Sequence, residues 1–228
     1  MHQNFNLPDW VTTSLLRFSA DDSVELCGET LPLHLQGASD KRKRDFLAGR
    51  ACGQEALRLA GCSSLDPIGS DAERIPIWPP GWRGSISHSS CVATAAVALD
   101  LHCMALGVDI EEKIDPKICS DIQSQVASPA EFEVLSGLDF CTQMTLIFSA
   151  KESLYKALYP QVRTFFGFDA ARLHQAHANC LGLVLSRSWN NDWPVGMIVP
   201  VHYEILADHV YTAVCIPAHI TESAKSYK

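Results

Sequence analysis

The sequence predicts an α+β protein made of two halves of comparable size. The order of elements carries that prediction. A basic helix and strands occupy the first half, whereas a strand, helices and an antiparallel meander occupy the second. The join falls near Leu101–Leu106, so residues 1–105 form the first half and 106–228 the second, as one structural unit.

Bulk properties narrow the class. The chain has 228 residues, 47% of them hydrophobic, enough to bury a substantial core. Charged residues at 19% suit a globular enzyme or binding protein and argue against disorder. No apolar run approaches the roughly 18 residues of a membrane span. The opening MHQNFNLPDWVTT lacks the basic and apolar regions of a secretory signal. The nine cysteines are scattered, odd in number and without a Cys-x-x-Cys pair, so a reducing, cytoplasmic setting is expected. His174, His177 and Cys180 recur at three-residue intervals but lack a fourth ligand, and are read as surface and core residues. A net charge of -8 argues against nucleic acid as a partner, which makes the basic run KRKR at 41–44 stand out.

Along the chain, DKRKRDFLAGRACGQEALRLA (40–60) reads as a helix. Ser39 or Asp40 caps it, Phe46, Leu47, Ala51 and Leu57 form its apolar stripe, and Gly61 ends it. A loop rich in Pro and Gly follows, then SISHSS at a strand end. CVATAAVAL comes next, a buried strand or helix segment that periodicity does not assign. LGVDIEE (106–112) is a strand with Leu106, Val108 and Ile110 on one face and Gly107, Asp109 and Glu111 on the other. SPAEFEVLS (128–136) starts a helix, with Ser128 as N-cap, Pro129 at the first helical position and Glu131 placed for a capping box. A longer helix spans about Thr142 to Tyr159, with Phe148, Tyr155 and Leu158 facing a core and Pro160 as its stop. CLGLVLSRSW, VPVHYEILA and HVYTAVCIP read as three terminal strands.

Several residues in this frame suit phosphate chemistry. Asp109 and Glu111 share a strand face, and a divalent cation commonly relieves the repulsion of such a pair. With oxygen ligands alone, Mg²⁺ fits better than zinc. Taken singly, an Asp-x-Glu is more often a solvated strand end, and His88 more often a structural histidine. Glu152 and Lys156 project from one helix face, as an ion pair or as site residues. Arg42, Arg44 and Arg50 on one helix suit a phosphate, which guanidinium grips through paired hydrogen bonds, or a plain solvated surface. A pyrophosphate substrate held by Mg²⁺ would use all of them.

The motifs GSISHS (84–89), GVDIE (107–111) and FSAKESLYKALYP (148–160) carry a resemblance to the Sfp-type phosphopantetheinyl transferases, in the branch of enterobactin synthetase component D. KRKRDFLAGRACGQEAL (41–57), PIWPPGWRGSISH (76–88) and FFGFDAARL (165–173) support it, so the resemblance covers roughly residues 40–175. It implies a phosphopantetheinyl transferase fold of two similar, pseudo-twofold-related α+β halves, with coenzyme A in the cleft between them. It also implies transfer of the 4′-phosphopantetheine arm to a serine of an apo acyl, aryl or peptidyl carrier protein, with release of 3′,5′-ADP. The branch points to siderophore or other secondary-metabolite synthesis.

Carried over by motif, Asp109, Glu111 and Glu152 are the metal-binding acids for Mg²⁺, with Mn²⁺ as a substitute. Lys156 and His88 contact the pyrophosphate, Arg42, Arg44 and Arg50 the 3′-phosphate and adenine, and Ser87 lies beside that phosphate. Glu152 or a metal-bound water takes the serine proton. Glu73-Arg74-Ile75 departs from the branch, which often carries a base before the P-x-WP segment; Arg74 would substitute. Lys151 lies on a different helix face from Glu152. Carrier docking is placed around residues 115–140, and a monomer is expected because the duplication lets one chain build the whole site. A Mg²⁺-dependent nucleotide pyrophosphate hydrolase and a non-catalytic coenzyme A or carrier-binding module are the competing readings.

Overall fold

The computed structural model describes residues 5–19, 31–64 and 66–218; Cys27 lies outside them. In the first half, α1 (Asp40–Leu59) packs on a three-stranded antiparallel sheet. Its strands are β1 (Thr12–Arg17), β4 (Trp82–Ser89) and β5 (Val92–Leu99), in the order β1-β5-β4. The Pro- and Gly-rich loop carries the two-residue strands β2 (Gly69–Ser70) and β3 (Pro76–Ile77), which pair with each other. The second half is a five-stranded sheet of β6 (Cys103–Glu112), β7 (Ala171–His177), β8 (Cys180–Leu185), β9 (Ile198–Ile205) and β10 (His209–Pro217). Its order is β6-β10-β9-β8-β7. Three helices, α2 (Pro116–Val126), α3 (Pro129–Val134) and α4 (Phe140–Val162), complete it. Among the described residues no helix is long and apolar enough to cross a membrane.

Local chemistry explains most of these limits. Ser39 Oγ accepts the Arg42 N–H at 3.3 Å at the start of α1, and Gly61 follows its end at φ 82°. On α1, Leu47 and Leu57 are buried beside Ala48, Cys52 and Ala56, while Phe46 and Ala51 are half-buried. The stretch that periodicity left unassigned is strand β5. Ala93, Ala95 and Val97 meet α1, and Val92, Ala96 and Ala98 meet β6 and β10. A strand buried on both faces shows no polar alternation. The layers are therefore helix, sheet, sheet and helix.

Two expectations change. Helix α4 runs through Pro160 instead of stopping before it. Proline forfeits one backbone bond there, but Gln161 Nε2 donates to Met104 O at 2.7 Å and anchors the last turn. Arg163 then closes the helix in the left-handed region, its N–H reaching Tyr159 O at 2.9 Å. The terminal meander has four strands, because β7 precedes the three expected. Strand β1 and helix α2 also carried no sequence expectation.

Gly107 fixes how closely β6 approaches α4. A Cβ there would lie 2.0 Å from Ser153 O and 2.5 Å from Ala157 N. Glycine alone allows that approach, and it brings the acids of β6 against the Glu152–Lys156 face of α4.

Candidate active site

Strands β4 and β6 and helix α4 meet at one point. Lys156 Nζ lies 2.6 Å from Asp109 Oδ1 and 2.8 Å from Ser87 Oγ, and Ser87 Oγ donates to the same Asp109 oxygen at 2.8 Å. Asp109 is 1% exposed, which rules out a solvated strand end. The Glu152–Lys156 spacing on the helix thus resolves in favour of Lys156 reaching across to Asp109.

The acids sense one another. Burial pushes the Glu111 carboxyl up to about 7, with Asp109 and Glu152 adding to the rise while Ser89 and Lys156 oppose it. Burial and then Asp109 raise the Glu152 carboxyl, against the pull of Lys156. Among the described residues no group of three His, Cys, Asp or Glu side chains stands close enough as it is to hold a metal ion. The donor set nonetheless fits a hard divalent cation. It offers three oxygen acids in mutual repulsion, and Asp109 Oδ2 is buried without a hydrogen-bond partner.

His88, the next residue on β4, is half-buried near the start of α1. Its Nδ1 is 3.9 Å from Asp45 Oδ2, and Lys41 Nζ sits 2.9 Å from that oxygen. Burial lowers the imidazole pKa, Asp45 opposes, and the charges of Lys156, Arg42 and Lys41 lower it further. Arg42 is therefore close enough for its charge to be felt at His88.

The other arginines stand outside this hydrogen-bonded group. Arg50 is 4% exposed, donates to Ser70 Oγ at 2.5 Å and lies over the Phe46 ring at 4.7 Å. Arg44 is half-buried on the same helix, and Arg74 is exposed in the β2–β3 turn at φ 68°. Beside Arg74, Arg163 Nη1 holds Asp71 at 2.8 Å and Glu73 at 2.9 Å, so α4 and this turn are tied together. His174 and His177 are exposed on β7, and no metal cluster forms with Cys180.

Sequence reasoning missed Asp45, Lys41 and Ser89. Ser89 was legible as one of three alternate serines on β4; the Asp45–His88 approach joins α1 to β4 and left no local signal. It also missed the role of Lys151. That residue is 6% exposed and donates to Glu131 Oε1 at 2.8 Å and Val126 O at 2.7 Å, a structural pair next to the site.

Similarity to known proteins accords with this arrangement. Residues 31–98 match the 4′-phosphopantetheinyl transferase N-terminal domain, and residues 105–213 match the 4′-phosphopantetheinyl transferase superfamily. Enterobactin synthase component D of Salmonella typhi is 38% identical over 159 residues, 68% of this chain and 65% of that relative; the match thus spans just under two thirds of its length. The protein of the same name from Escherichia coli O157:H7 is 38% identical over 160 residues, 67% of this chain and 74% of the relative. The 4′-phosphopantetheinyl transferase Svp of Streptomyces mobaraensis is 33% identical over 172 residues, 73% and 69% of the two chains. On this sequence evidence, and with the acids and the lysine of the motifs assembled in one place, the chain belongs to the 4′-phosphopantetheinyl transferase superfamily.

Proposed function

We propose that the chain transfers the 4′-phosphopantetheine arm of coenzyme A to a serine hydroxyl of an apo acyl, aryl or peptidyl carrier protein, releasing 3′,5′-ADP. The observation that carries the reading is the junction of Lys156, Ser87 and Asp109, with Glu111 and Glu152 beside it. A bond forms between the carrier serine oxygen and the β-phosphorus, and the bond from that phosphorus to the ADP oxygen breaks. Asp109, Glu111 and Glu152 would hold Mg²⁺, which when bound neutralises pyrophosphate charge.

The chain's own groups do the rest. Lys156 and His88 supply donors where charge gathers on the leaving group; one such donor is typically worth roughly 3 kcal/mol. Glu152, whose carboxyl burial raises above its ordinary value, is suited to take the serine proton. Arg42, beside His88, is suited to the 3′-phosphate end. Arg50 contributes by holding its helix against Ser70, in line with its burial.

In the same reading the helix-on-sheet units are pseudo-twofold-related halves, with coenzyme A lying between β4 and α4. One chain supplies every residue named, as a monomer would. Two similar proteins are named enterobactin synthase component D, which favours carriers of enterobactin-type synthesis as substrates. Mass spectrometry of an apo carrier incubated with coenzyme A, Mg²⁺ and the protein tests the reading. A gain of one phosphopantetheine unit on the carrier serine is expected; free phosphopantetheine with an unmodified carrier would instead establish a hydrolase.

A further inference from the structure

Strand β4 meets β6 without a backbone ladder. The period-2 alternation of β4 puts Ser85, Ser87 and Ser89 on one face, and each hydroxyl engages β6. Ser85 Oγ accepts the Val108 N–H at 3.0 Å, and Ser87 Oγ donates to Asp109 Oδ1 at 2.8 Å. Ser89 Oγ donates to Glu111 Oε2 at 3.0 Å and accepts the Glu112 N–H at 3.1 Å.

We propose that Ser89 is a positioning residue that aims the Glu111 carboxylate at the metal-binding acids, an inference that rests on the reading above. A serine hydroxyl has one proton and two lone pairs. Because the Glu112 amide donates to Ser89 Oγ, the serine proton is left to point at Glu111 Oε2. The hydroxyl is thereby turned from a free rotor into a fixed donor. It engages one oxygen of Glu111 and sets the plane of the carboxylate, so the second oxygen is presented in a defined direction. Ser87 Oγ donates to Asp109 one rung earlier, with Lys156 in place of an amide as its own donor, so the spacing of two serines on β4 reproduces the spacing of two acids on β6. Alanine at position 89 would keep the strand and lose the donor, whereas threonine would keep both.

The test is a Mn²⁺ titration followed by the electron paramagnetic resonance signal of the free aqua ion. The chain is saturated with coenzyme A and no carrier is present, so no turnover intervenes. Ser89→Ala is expected to raise the Mn²⁺ dissociation constant about tenfold, the scale on which outer partners of metal ligands act. Ser89→Thr should restore it to within a few-fold of wild type. Ser85→Ala removes the acceptor of the Val108 amide but touches no carboxyl; it should lower the thermal midpoint and leave the dissociation constant unchanged. Equal affinity in Ser89→Ala and wild type would overturn the positioning role. So would a loss in Ser85→Ala as large as that in Ser89→Ala, or a folded Ser89→Thr that stays weak. A wild-type chain that never depletes the free Mn²⁺ signal would overturn the metal-site reading itself and this inference with it, an outcome separate from the others.

Discussion

Lys156 and Lys151 sit five residues apart on α4 and show how burial assigns roles to like side chains. Lys156 is partly open to solvent and bonded to Asp109 and Ser87, so it has protons to offer a substrate. Lys156→Ala is expected to lower kcat by roughly two orders of magnitude, the worth of one transition-state donor. Steady-state kinetics with carrier in excess would show it, and an unchanged kcat would remove Lys156 from the chemistry. Lys151 is enclosed, and its charge is met by Glu131. Burial pushes the Glu131 carboxyl up, but Lys151 and the N–H groups of Ser128 and Leu173 outweigh it and hold the group below its usual range. Glu131 therefore stabilises the fold above the ordinary carboxylate range, and that contribution is lost as pH falls through its lowered value. Glu131→Gln strands a buried ammonium and should cost about 3 kcal/mol or more, read as a drop in the urea midpoint at neutral pH. The deficit relative to wild type should shrink in acid; one that is equal at all pH values would refute the pairing.

Helix α4 and strand β6 are the elements on which the site depends, and Gly107 sets the distance between them. Gly107→Ala would force the backbones apart at Ser153 and Ala157. Because backbone cannot give as a flexible side chain can, the substitution should destabilise the protein by about 2 kcal/mol or more. Chemical denaturation would measure it, and transfer activity should fall even in the folded fraction, since Asp109 and Lys156 would no longer meet at 2.6 Å. Full stability and activity in this variant would show that the close approach is dispensable. Helix α4 has a second task at its far end. Arg163 and Tyr159 reach Asp71 and Glu73, so one helix lines the site and clasps the first half.

Over the whole molecule, a net charge of -8 coexists with three cations, Lys41, Arg42 and Lys156, gathered around His88 and offset in part by Asp45. An anionic ligand entering there works against the overall charge and with the local one. Raising salt from about 0.05 to 0.5 M shortens the screening length below 10 Å and should raise the KM for coenzyme A several-fold, with a smaller effect on kcat. A KM insensitive to salt would argue against a charge-guided site. The same scale decides what could be read in advance. Asp109 with Glu111, and Glu152 with Lys156, were legible because each pair is fixed by a local period. Their meeting, 47 residues apart between Asp109 and Lys156, was available only through the motif resemblance. Glu131 was legible as a helix cap, but its bond to Lys151 needed the packing of α3 on α4. The alanine-rich β5 hid its period because both faces are buried, and Pro160 misled because a distant side-chain anchor outweighs a local breaker.

The serine face of β4 has one more consequence, for encounters between copies of the chain. Strand β6 is an outermost strand of its sheet, and such strands expose backbone groups onto which a foreign strand can add. Here the Val108 and Glu112 amides are already taken by Ser85 and Ser89. At the opposite margin the Leu173 amide of β7 is taken by Glu131 at 2.9 Å. Side chains thus occupy amides at both margins of the five-stranded sheet, and the serine that orders Glu111 also takes a group that a foreign strand would need.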